Sequence, residues 1–462
     1  MHRQTVSRRF DHTESAVGGS RIFSSRGTRL SRNIRPGDKT RIDQGPDVLD
    51  YAEGQGYVKT AFLYGPLIEE AYLKQPPGMT EPGKEDWVCR LHKAIYGLHQ
   101  APRAFYQHMK KTLALGGFSP SNADQSIFLR MDDGEMTILG LYVDDAILAS
   151  TSKSHLEDTR TFLRSHFEMT WNNEPSMLLG MEITRDREKG TLRLSQRCFA
   201  EEILATFGMS DCRSRSYPLS KSFDAHIKGN RPAPVEGIRY MEFVGKLNYL
   251  ARGTRPDLAF ASSHLASFCS SFQKEHWTGC KNVMGYIKGT LDLGITFSRH
   301  GNREPIGYSD ADWATDKGDR RSIDGYVYVL GSGPISWMSK KQSIVARLST
   351  EAEYIALDAA AREGIWLKRM LQELRLPLTG PLLIYEDNQS TIKLAKNPVN
   401  HSHTKHIAII HHATCDLVED NTIRLEYLQT DAMLADGFTK PLSGRRIRLL
   451  GKTMGLDGCN EE

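Results

Sequence analysis

Tyr142-Val143-Asp144-Asp145 places two adjacent carboxylates between apolar runs, with Ile138, Leu139 and Leu141 before them and Ala146, Ile147 and Leu148 after. The runs read as two strands of a hairpin with the acids at its tip. Carboxylates this close repel unless a cation neutralises them, and divalent metal ions are the natural tenants. Two metals gripped by carboxylates are a recurring solution for phosphodiester chemistry. Taken alone, the four residues read as a polar turn, since Asp is common in turns. A second group, His401, His403, His406, His411, His412 and Cys415, invites a zinc reading. Its spacings do not match the standard ligand pattern, and no second cysteine pair accompanies it.

Elements able to position these residues follow from hydrophobic period and turn chemistry. Strands are expected at about 57–63 and 88–95, and a helix opened by Pro102 and closed by Gly116-Gly117. Strands 126–131 and 136–143 flank an Asp132-Asp133-Gly134 turn, a hairpin signal. A helix is expected over 151–169, then a hairpin of 178–185 and 191–195 turned at Glu188-Lys189-Gly190. Helices follow at 197–208, 236–252, 256–269 and 274–288, with a Pro/Gly-rich loop at 228–237. From about Pro305 the pattern changes to strands 306–313, 326–330 and 335–340, a long helix 350–374, strand 382–386 and helix 388–396. Helix 407–419, strand 422–428 and a short helix 431–439 complete it. The order βββαβαβ with extra helices predicts a mixed sheet covered by helices.

A chain of 462 residues has room for two or three domains, each with its own core. No apolar run reaches the length of a membrane span and no secretory signal is visible, so no membrane partner is expected. Seven scattered cysteines without a Cys-x-x-Cys pair fit a reducing, intracellular compartment. Nine Arg and one Lys against four acids give residues 1–45 a net +6, so the remaining chain carries −2 of the total +4. That basic, Ser/Gly-rich segment is expected to be a disordered tail. It is able to hold nucleic acid electrostatically. A transit peptide or a segment with no selected role are the rival readings.

Val58-Lys59-Thr60-Ala61-Phe62-Leu63, Tyr96-Gly97-Leu98-His99-Gln100-Ala101-Pro102-Arg103-Ala104 and Tyr142-Val143-Asp144-Asp145 resemble, in this order, the reverse transcriptase of copia-type LTR retrotransposon Pol polyproteins. Leu179-Gly180-Met181-Glu182-Ile183 and Gly253-Thr254-Arg255-Pro256-Asp257 continue the resemblance. Tyr308-Ser309-Asp310-Ala311-Asp312-Trp313, Ser349-Thr350-Glu351-Ala352-Glu353-Tyr354, Asp387-Asn388-Gln389-Ser390, Thr404-Lys405-His406-Ile407 and Leu434-Ala435-Asp436 resemble the fused RNase H domain. The similarity spans about residues 55–445. It implies an α+β fold: a partial right-hand polymerase palm and thumb, a helical connection, and an RNase H-like mixed sheet with helices. The expected divisions are a basic tail 1–45, a palm with incomplete fingers 46–225, a helical thumb or connection 226–300, an RNase H-like domain 301–445 and a C-terminal tail 446–462. It also implies Mg2+ or Mn2+, two ions per site. The implied partners are an RNA/DNA hybrid, an RNA template, a DNA primer and other Pol or Gag products of the element. A cytoplasmic particle or the nucleus would be the place.

By the resemblance, Asp144 and Asp145 are catalytic metal ligands of the polymerase. A third Asp belongs two residues before the Lys-Thr-Ala-Phe-Leu run, where this chain has Tyr57. A neutral phenol is a poor ligand for a hard cation, so DNA synthesis is expected to be absent or weak. The family's earlier fingers strands are replaced here by the Arg/Ser segment, and Tyr64 and Pro66 stand where Asn and Asp are usual. Phe62 would exclude a ribose 2′-hydroxyl, or is simply a core aromatic. Gln100 and Arg103 match template- and nucleotide-side positions, or are exposed polar residues of a helix start.

The implied RNase H acids, as metal ligands and catalytic groups, are Asp310, Glu353, Asp387 and Asp436, on the first strand, the long helix, the end of the fourth strand and the last helix. They would cut the RNA strand of a hybrid, chosen by its A-like width and 2′-hydroxyls. Rival readings stay open. Asp312 lies two residues beyond Asp310 on the same face. Thr350-x-x-Glu353 is also a capping box, which would pass the metal to Glu351. Asp387 would serve as an N-cap, and Asp436 as a surface acid. His406 is a substrate-side or structural residue, and Ala408 and Ala413 depart from the polar and aromatic residues usual nearby. Trp277, His276 and Lys281, with Lys274 and Lys288, either meet a hybrid backbone or belong to an ordinary amphipathic helix. The function expected is a retrotransposon reverse transcriptase–RNase H fragment with a near-intact RNase H site and an impaired polymerase. The alternative is a non-catalytic nucleic-acid-binding remnant.

Overall fold

A computed structural model describes residues 52–220, 223, 237–314, 318–397 and 408–458. The segment 1–45, most of the 228–237 loop and His401, His403 and His406 lie outside the described residues, as does the side chain of His411.

The first layer is built from β1 (Ala52–Val58), a hairpin of β2 (Pro66–Lys74) and β3 (Val88–Lys93), α1 (Ala101–Leu115), β4 (Ser119–Pro120), β5 (Ile127–Asp132), β6 (Glu135–Tyr142), β7 (Asp145–Ser150), α2 (Lys153–His166) and β8 (Met169–Asn172). Its antiparallel sheet runs β4-β5-β6-β7-β1-β8. Alternate residues Leu139, Leu141, Ala146 and Leu148 are buried with Phe105, Met109 and Leu113 of α1 and Leu156 and Leu163 of α2. The period-2 stripe of the strands and the helical stripes of α1 and α2 thus meet in one core. The β5–β6 turn follows the expectation, with Asp133 at φ 48° and Gly134 at φ 84°.

Two expectations fail here. The strand expected at 57–63 lies earlier, at Ala52–Val58, because Thr60 turns to φ 50° and Ala61–Tyr64 form a 3-10 turn. The helix expected over 151–169 stops at His166, because Met169 pairs with Val58 and Thr170 with Tyr57 in the sheet. Long-range pairing overrides a local helical stripe.

β9 (Met177–Leu178), β10 (Met181–Asp186) and β11 (Thr191–Ser195) precede the helices α3 (Arg197–Thr206), α4 (Tyr240–Gly253), α5 (Ala259–Ala266) and α6 (Lys274–Lys288) and the strand β12 (Gly294–Ser298). Leu179 (φ 47°) and Gly180 (φ 73°) form a tight turn inside what was expected to be one strand. Arg255 is buried and grips Asp257 with two bonds, Nε–Oδ1 at 2.9 Å and Nη2–Oδ2 at 2.7 Å, while Nη1 donates to the Thr290 carbonyl at 3.0 Å. The Gly-Thr-Arg-Pro-Asp motif is therefore a buried clasp between helices. Trp277 packs on Phe207 and Phe243, and His276 is buried, its Nδ1 accepting the Gln273 amide at 2.7 Å. This is the packed face of an amphipathic helix.

The last part contains β13 (Ile306–Asp312), β14 (Ile323–Leu330), β15 (Gly333–Lys341), α7 (Ser349–Glu373), β16 (Leu382–Glu386), α8 (Gln389–Lys396), α9 (Ala408–Glu419), β17 (Ile423–Tyr427) and α10 (Asp436–Thr439). Its sheet runs β15-β14-β13-β16-β17, with β13–β15 antiparallel and β16 and β17 parallel to β13. This is the mixed sheet with helices that the sequence predicts. Buried Tyr354, Leu357, Ala360 and Ala361 of α7 cover one face against Tyr328, Leu382 and Ile384.

Of the C-terminal tail expected at 446–462, the described residues 446–458 are instead structured. α11 (Gly444–Thr453) buries Ile447 and Leu450, and β18 (Leu456–Asp457) pairs with β12. Ser443 caps α11, its Oγ accepting the Arg446 amide at 3.4 Å. The apolar spacing Ile447, Leu450, Met454 supplies the face that packs into the helical core.

Candidate active site

Four expected acids converge at the end of the β13–β16 pair. Asp310 lies on β13 and is 2 % exposed. Asp387 follows β16, whose register sets Ser309 beside Glu386. Gly325 on β14 faces Asp310 across the ladder, and a Cβ there would meet Phe438 Cβ at 2.7 Å and Thr439 Cγ2 at 2.7 Å. Only glycine lets α10 approach this closely, which brings Asp436 and Thr439 to Asp310. On the opposite face, the alanines Ala311, Ala346, Ala352 and Ala356 form a small buried cluster. Their small side chains let the first turns of α7 approach β13. Glu353 then reaches across, and its Oε2 accepts the Ala311 amide at 2.7 Å.

The result is two overlapping groups of carboxylates: Asp310, Asp387 and Asp436, and Glu353, Glu386 and Asp387. Within each group one ligand atom per residue lies within 4.8 Å of the others. Asp387 belongs to both. A donor set made only of carboxylate oxygens fits a hard divalent cation.

The open alternatives narrow. Glu353 does not cap α7, since its side chain turns to β13; Glu351, outside both groups, accepts the Arg347 amide at 2.7 Å instead. Asn388, not Asp387, caps α8, accepting the Ser390 and Thr391 amides at 3.0 and 3.1 Å. Asp387 is left to accept the Thr430 hydroxyl at 2.7 Å. Asp436 is buried rather than a surface acid, and Asp312 belongs to neither group.

Burial, more than mutual repulsion, dominates the electrostatics of these acids. Burial, opposed by Lys440 and reinforced by Asp436, pushes Asp310 up to about 6. Burial, followed by Glu386 and Asp310, pushes Glu353 up to about 11. Burial also holds Glu386 well above the usual carboxylate range. Two cations answer part of this charge. Lys440 Nζ lies 2.7 Å from Asp436 Oδ1 and 3.7 Å from Asp310 Oδ2, and Arg446 Nη2 lies 3.4 Å from Asp436 Oδ2. Thr439 donates its hydroxyl to Asp310 Oδ2.

Sequence reasoning missed Glu386, Thr439, Lys440 and Arg446. Glu386 had a signal: Leu382, Ile384 and Glu386 are the buried positions of β16, so alternation carries its side chain inward. Arg446 has none, because it falls in the expected C-terminal tail.

At the second site, Asp144 and Asp145 sit on the β6–β7 turn. Val143 there adopts φ 53°, a strained conformation for a β-branched residue. Tyr57 pairs with Asp145 across the ladder, and a hydrogen bond to Asp144 is the main cause raising the Tyr57 phenol. Burial, then Asp144, raises Asp145, while Gln55 Nε2 lies 3.5 Å from its Oδ1. Among the described residues these two acids join no larger group of metal-capable side chains. Phe62 is half-buried, its ring 4.6 Å from that of Tyr96. Gln100 precedes α1 without capping it, and Arg103 is exposed on its first turn. Of the histidine group, His412 is exposed and Cys415 is buried, its thiol 3.5 Å from the Tyr354 hydroxyl.

Residues 54–221 match the family described as "Reverse transcriptase (RNA-dependent DNA polymerase)". The chain is 38 % identical over 402 residues to the retrovirus-related Pol polyprotein from transposon RE2 of Arabidopsis thaliana, covering 86 % of this chain and 27 % of that protein. It is 36 % identical over 420 residues to the counterpart from transposon TNT 1-94 of Nicotiana tabacum, covering 88 % and 31 %. The chain thus spans under a third of the length of these relatives. Among solved structures it is similar to LC11-RNase H1 in complex with RNA/DNA hybrid, at 12 % identity and TM-score 0.23, over 29 % of this chain and 94 % of that one. It is also similar to a foamy viral protease-reverse transcriptase in complex with dsDNA, at 14 % identity and TM-score 0.20, over 85 % and 61 %. Residues 54–221 thus form a reverse transcriptase domain, and over most of its length the chain is 36–38 % identical to copia-type retrovirus-related Pol polyproteins from transposons.

Proposed function

We propose that this chain is a reverse transcriptase–RNase H fragment whose RNase H-type centre hydrolyses the RNA strand of an RNA/DNA hybrid. The observation that carries the reading is the gathering of Asp310, Glu353, Asp387 and Asp436, distant in sequence, into two carboxylate groups that share Asp387. Bound Mg2+ or Mn2+ would supply a nucleophilic water and charge stabilisation at the leaving 3′-oxygen. Asp310, Asp387 and Asp436 would hold one ion, and Glu353 with Asp387 the other. Lys440 and Arg446 orient Asp436, and Thr439 orients Asp310. The palm, helical connection and RNase H divisions are read from the same resemblance, as are Phe62, Gln100, Arg103 and His406 as substrate-side residues. An RNA template, a DNA primer and other products of the element are the proposed partners.

The polymerase half is proposed to be impaired. Tyr57 contributes a hydroxyl beside Asp144 where a third carboxylate is required, leaving the cage one anion short. Losing one preorganised electrostatic group costs ~10²–10³ in rate. Tyr57→Asp is expected to raise primer extension on an RNA template by about that factor. Robust synthesis by the unaltered chain would refute the impairment.

Tyr57 also favours the rival reading, a non-catalytic nucleic-acid-binding remnant. Magnesium-dependent cleavage of a labelled hybrid separates the two. Cleavage is expected, and Asp310→Asn is expected to abolish it while the protein still melts cooperatively. Binding without cleavage by the folded chain would select the remnant.

A further inference from the structure

Glu386 ends the buried stripe of β16 and is fully buried. Its Oε1 accepts the Asn388 amide at 3.2 Å, but its Oε2 has no hydrogen-bond partner. An orphaned carboxylate oxygen in a dry interior is costly, and native structures rarely tolerate one without a ligand. The neighbouring Ser309 hydroxyl, beside Glu386 in the ladder, is buried and does not satisfy it. Among the other acids, Glu353 and Asp387 are those with which Glu386 shares coordination reach, within 4.8 Å. Glu386 lies on the α7 side of the sheet, in phase with the buried Leu382 and Ile384, whereas Asp436 and Lys440 belong to α10 and the residue after it. The cations that partly neutralise Asp310 and Asp436 come from that side: Lys440 and Arg446 pair with Asp436. Among the described residues neither Glu386 nor Glu353 forms an ion pair.

We infer that Glu386 is a metal ligand, completing with Glu353 and Asp387 a divalent-cation position on the α7 side of the site. This rests on the RNase H reading above and adds a fifth acid to it. Asp387 is shared, so the Asp310/Asp387/Asp436 position and the Glu353/Glu386/Asp387 position adjoin. The two positions differ in kind. The first is faced by Lys440 and Arg446, which oppose a further positive charge. The second has three carboxylates and one orphaned oxygen, and so favours a cation more strongly.

Glu386→Gln separates ligation from a purely structural role. Glutamine keeps a carbonyl oxygen for the Asn388 amide and nearly the same volume, but it removes the anionic ligand. The experiment is Mn2+ titration of the full chain, followed by electron paramagnetic resonance of free Mn2+ and by thermal melting. The unaltered protein is expected to bind two Mn2+. Glu386→Gln is expected to weaken one of them by at least ~10-fold and to shrink the Mn2+-induced rise in Tm. Asp436→Asn is expected to weaken the other and leave that one in place. Should the glutamine variant not melt cooperatively, Glu386→Asp, which withdraws the carboxylate by one methylene, is titrated with the same expectation. Two Mn2+ bound with unchanged affinity by the folded Glu386 variant would overturn the inference while leaving the RNase H reading intact. No Mn2+ uptake by the unaltered chain would overturn both.

Discussion

Single buried acids outside the carboxylate site show how much charge this sheet carries for structural reasons. Asp324 on β14 is 5 % exposed and accepts a hydrogen bond from Gln342 Nε2, which also donates to the Ala352 carbonyl at 2.9 Å. Burial, partly opposed by that amide, by Lys340 and by Arg362, pushes Asp324 up to about 7. A carboxyl whose pKa is raised on folding binds more protons in the native state, so stability falls as pH rises from about 3.8 to about 7 and then levels off. Asn at this position keeps the acceptor for Gln342 and cannot ionise. Asp324→Asn is therefore expected to be neutral near pH 4 and stabilising at pH 8, by up to roughly 4 kcal/mol. Urea unfolding at both pH values checks it; an unchanged midpoint at pH 8 would show that Asp324 titrates normally.

At the scale of elements, the site exists because two helices approach one strand pair closely. The alanines at the start of α7 permit one approach and Gly325 the other. Gly325→Val is expected to push α10 away from β14, cost about 1–3 kcal/mol as overpacking, and loosen Asp436 from Asp310. Hybrid cleavage would fall more than stability does; cleavage kept at the unaltered rate would show that α10 tolerates the shift. The periodic elements were legible in the sequence, down to Leu382–Glu386, because alternation and helical stripes are local signals. The misreadings have tertiary causes. β1 hides behind Gly54 and Gly56, poor strand formers: a Cβ at Gly56 would meet Trp171 at 2.8 Å, and one at Gly54 the guanidinium end of Arg160. α2 ends where β8 finds a partner in β1. The four acids proposed for the RNase H-type centre were legible only through motif resemblance; Glu386 was signalled by the alternation of β16, whereas Arg446 required the fold.

At the scale of the molecule, the expected boundary at 300/301 crosses continuous packing. One buried cluster includes Leu204, Phe243, Leu247, Leu258 and Ile287 of the helical block together with Val327, Phe438, Ile447, Leu450 and Leu456. The sheet β18-β12-β11-β10-β9 ties the last described strand to β12 and, through β11, to the strands before the helices. Trp337 Nε1 donates to the Ala251 carbonyl at 2.9 Å, and Trp366 Nε1 to the Ala123 carbonyl at 3.0 Å, so each module leans on another. A fragment of residues 301–458 would keep its five-stranded sheet and its α7 face but expose the apolar residues of β14, α10 and α11 that face the helical block. Each such large side chain uncovered forfeits about 1.5–3 kcal/mol, and several are lost at once. The fragment is expected to melt well below the full chain and to associate through the bared face, because exposed apolar patches of this kind drive assembly. Adding residues 177–300 back restores β9–β12 and the helices α3–α6 that cover it, and is expected to raise the melting temperature again and to abolish that association. If 301–458 alone melts as high as the full chain, the shared cluster contributes little, and the carboxylate site would be held by the mixed sheet and α7 without support from the helical block.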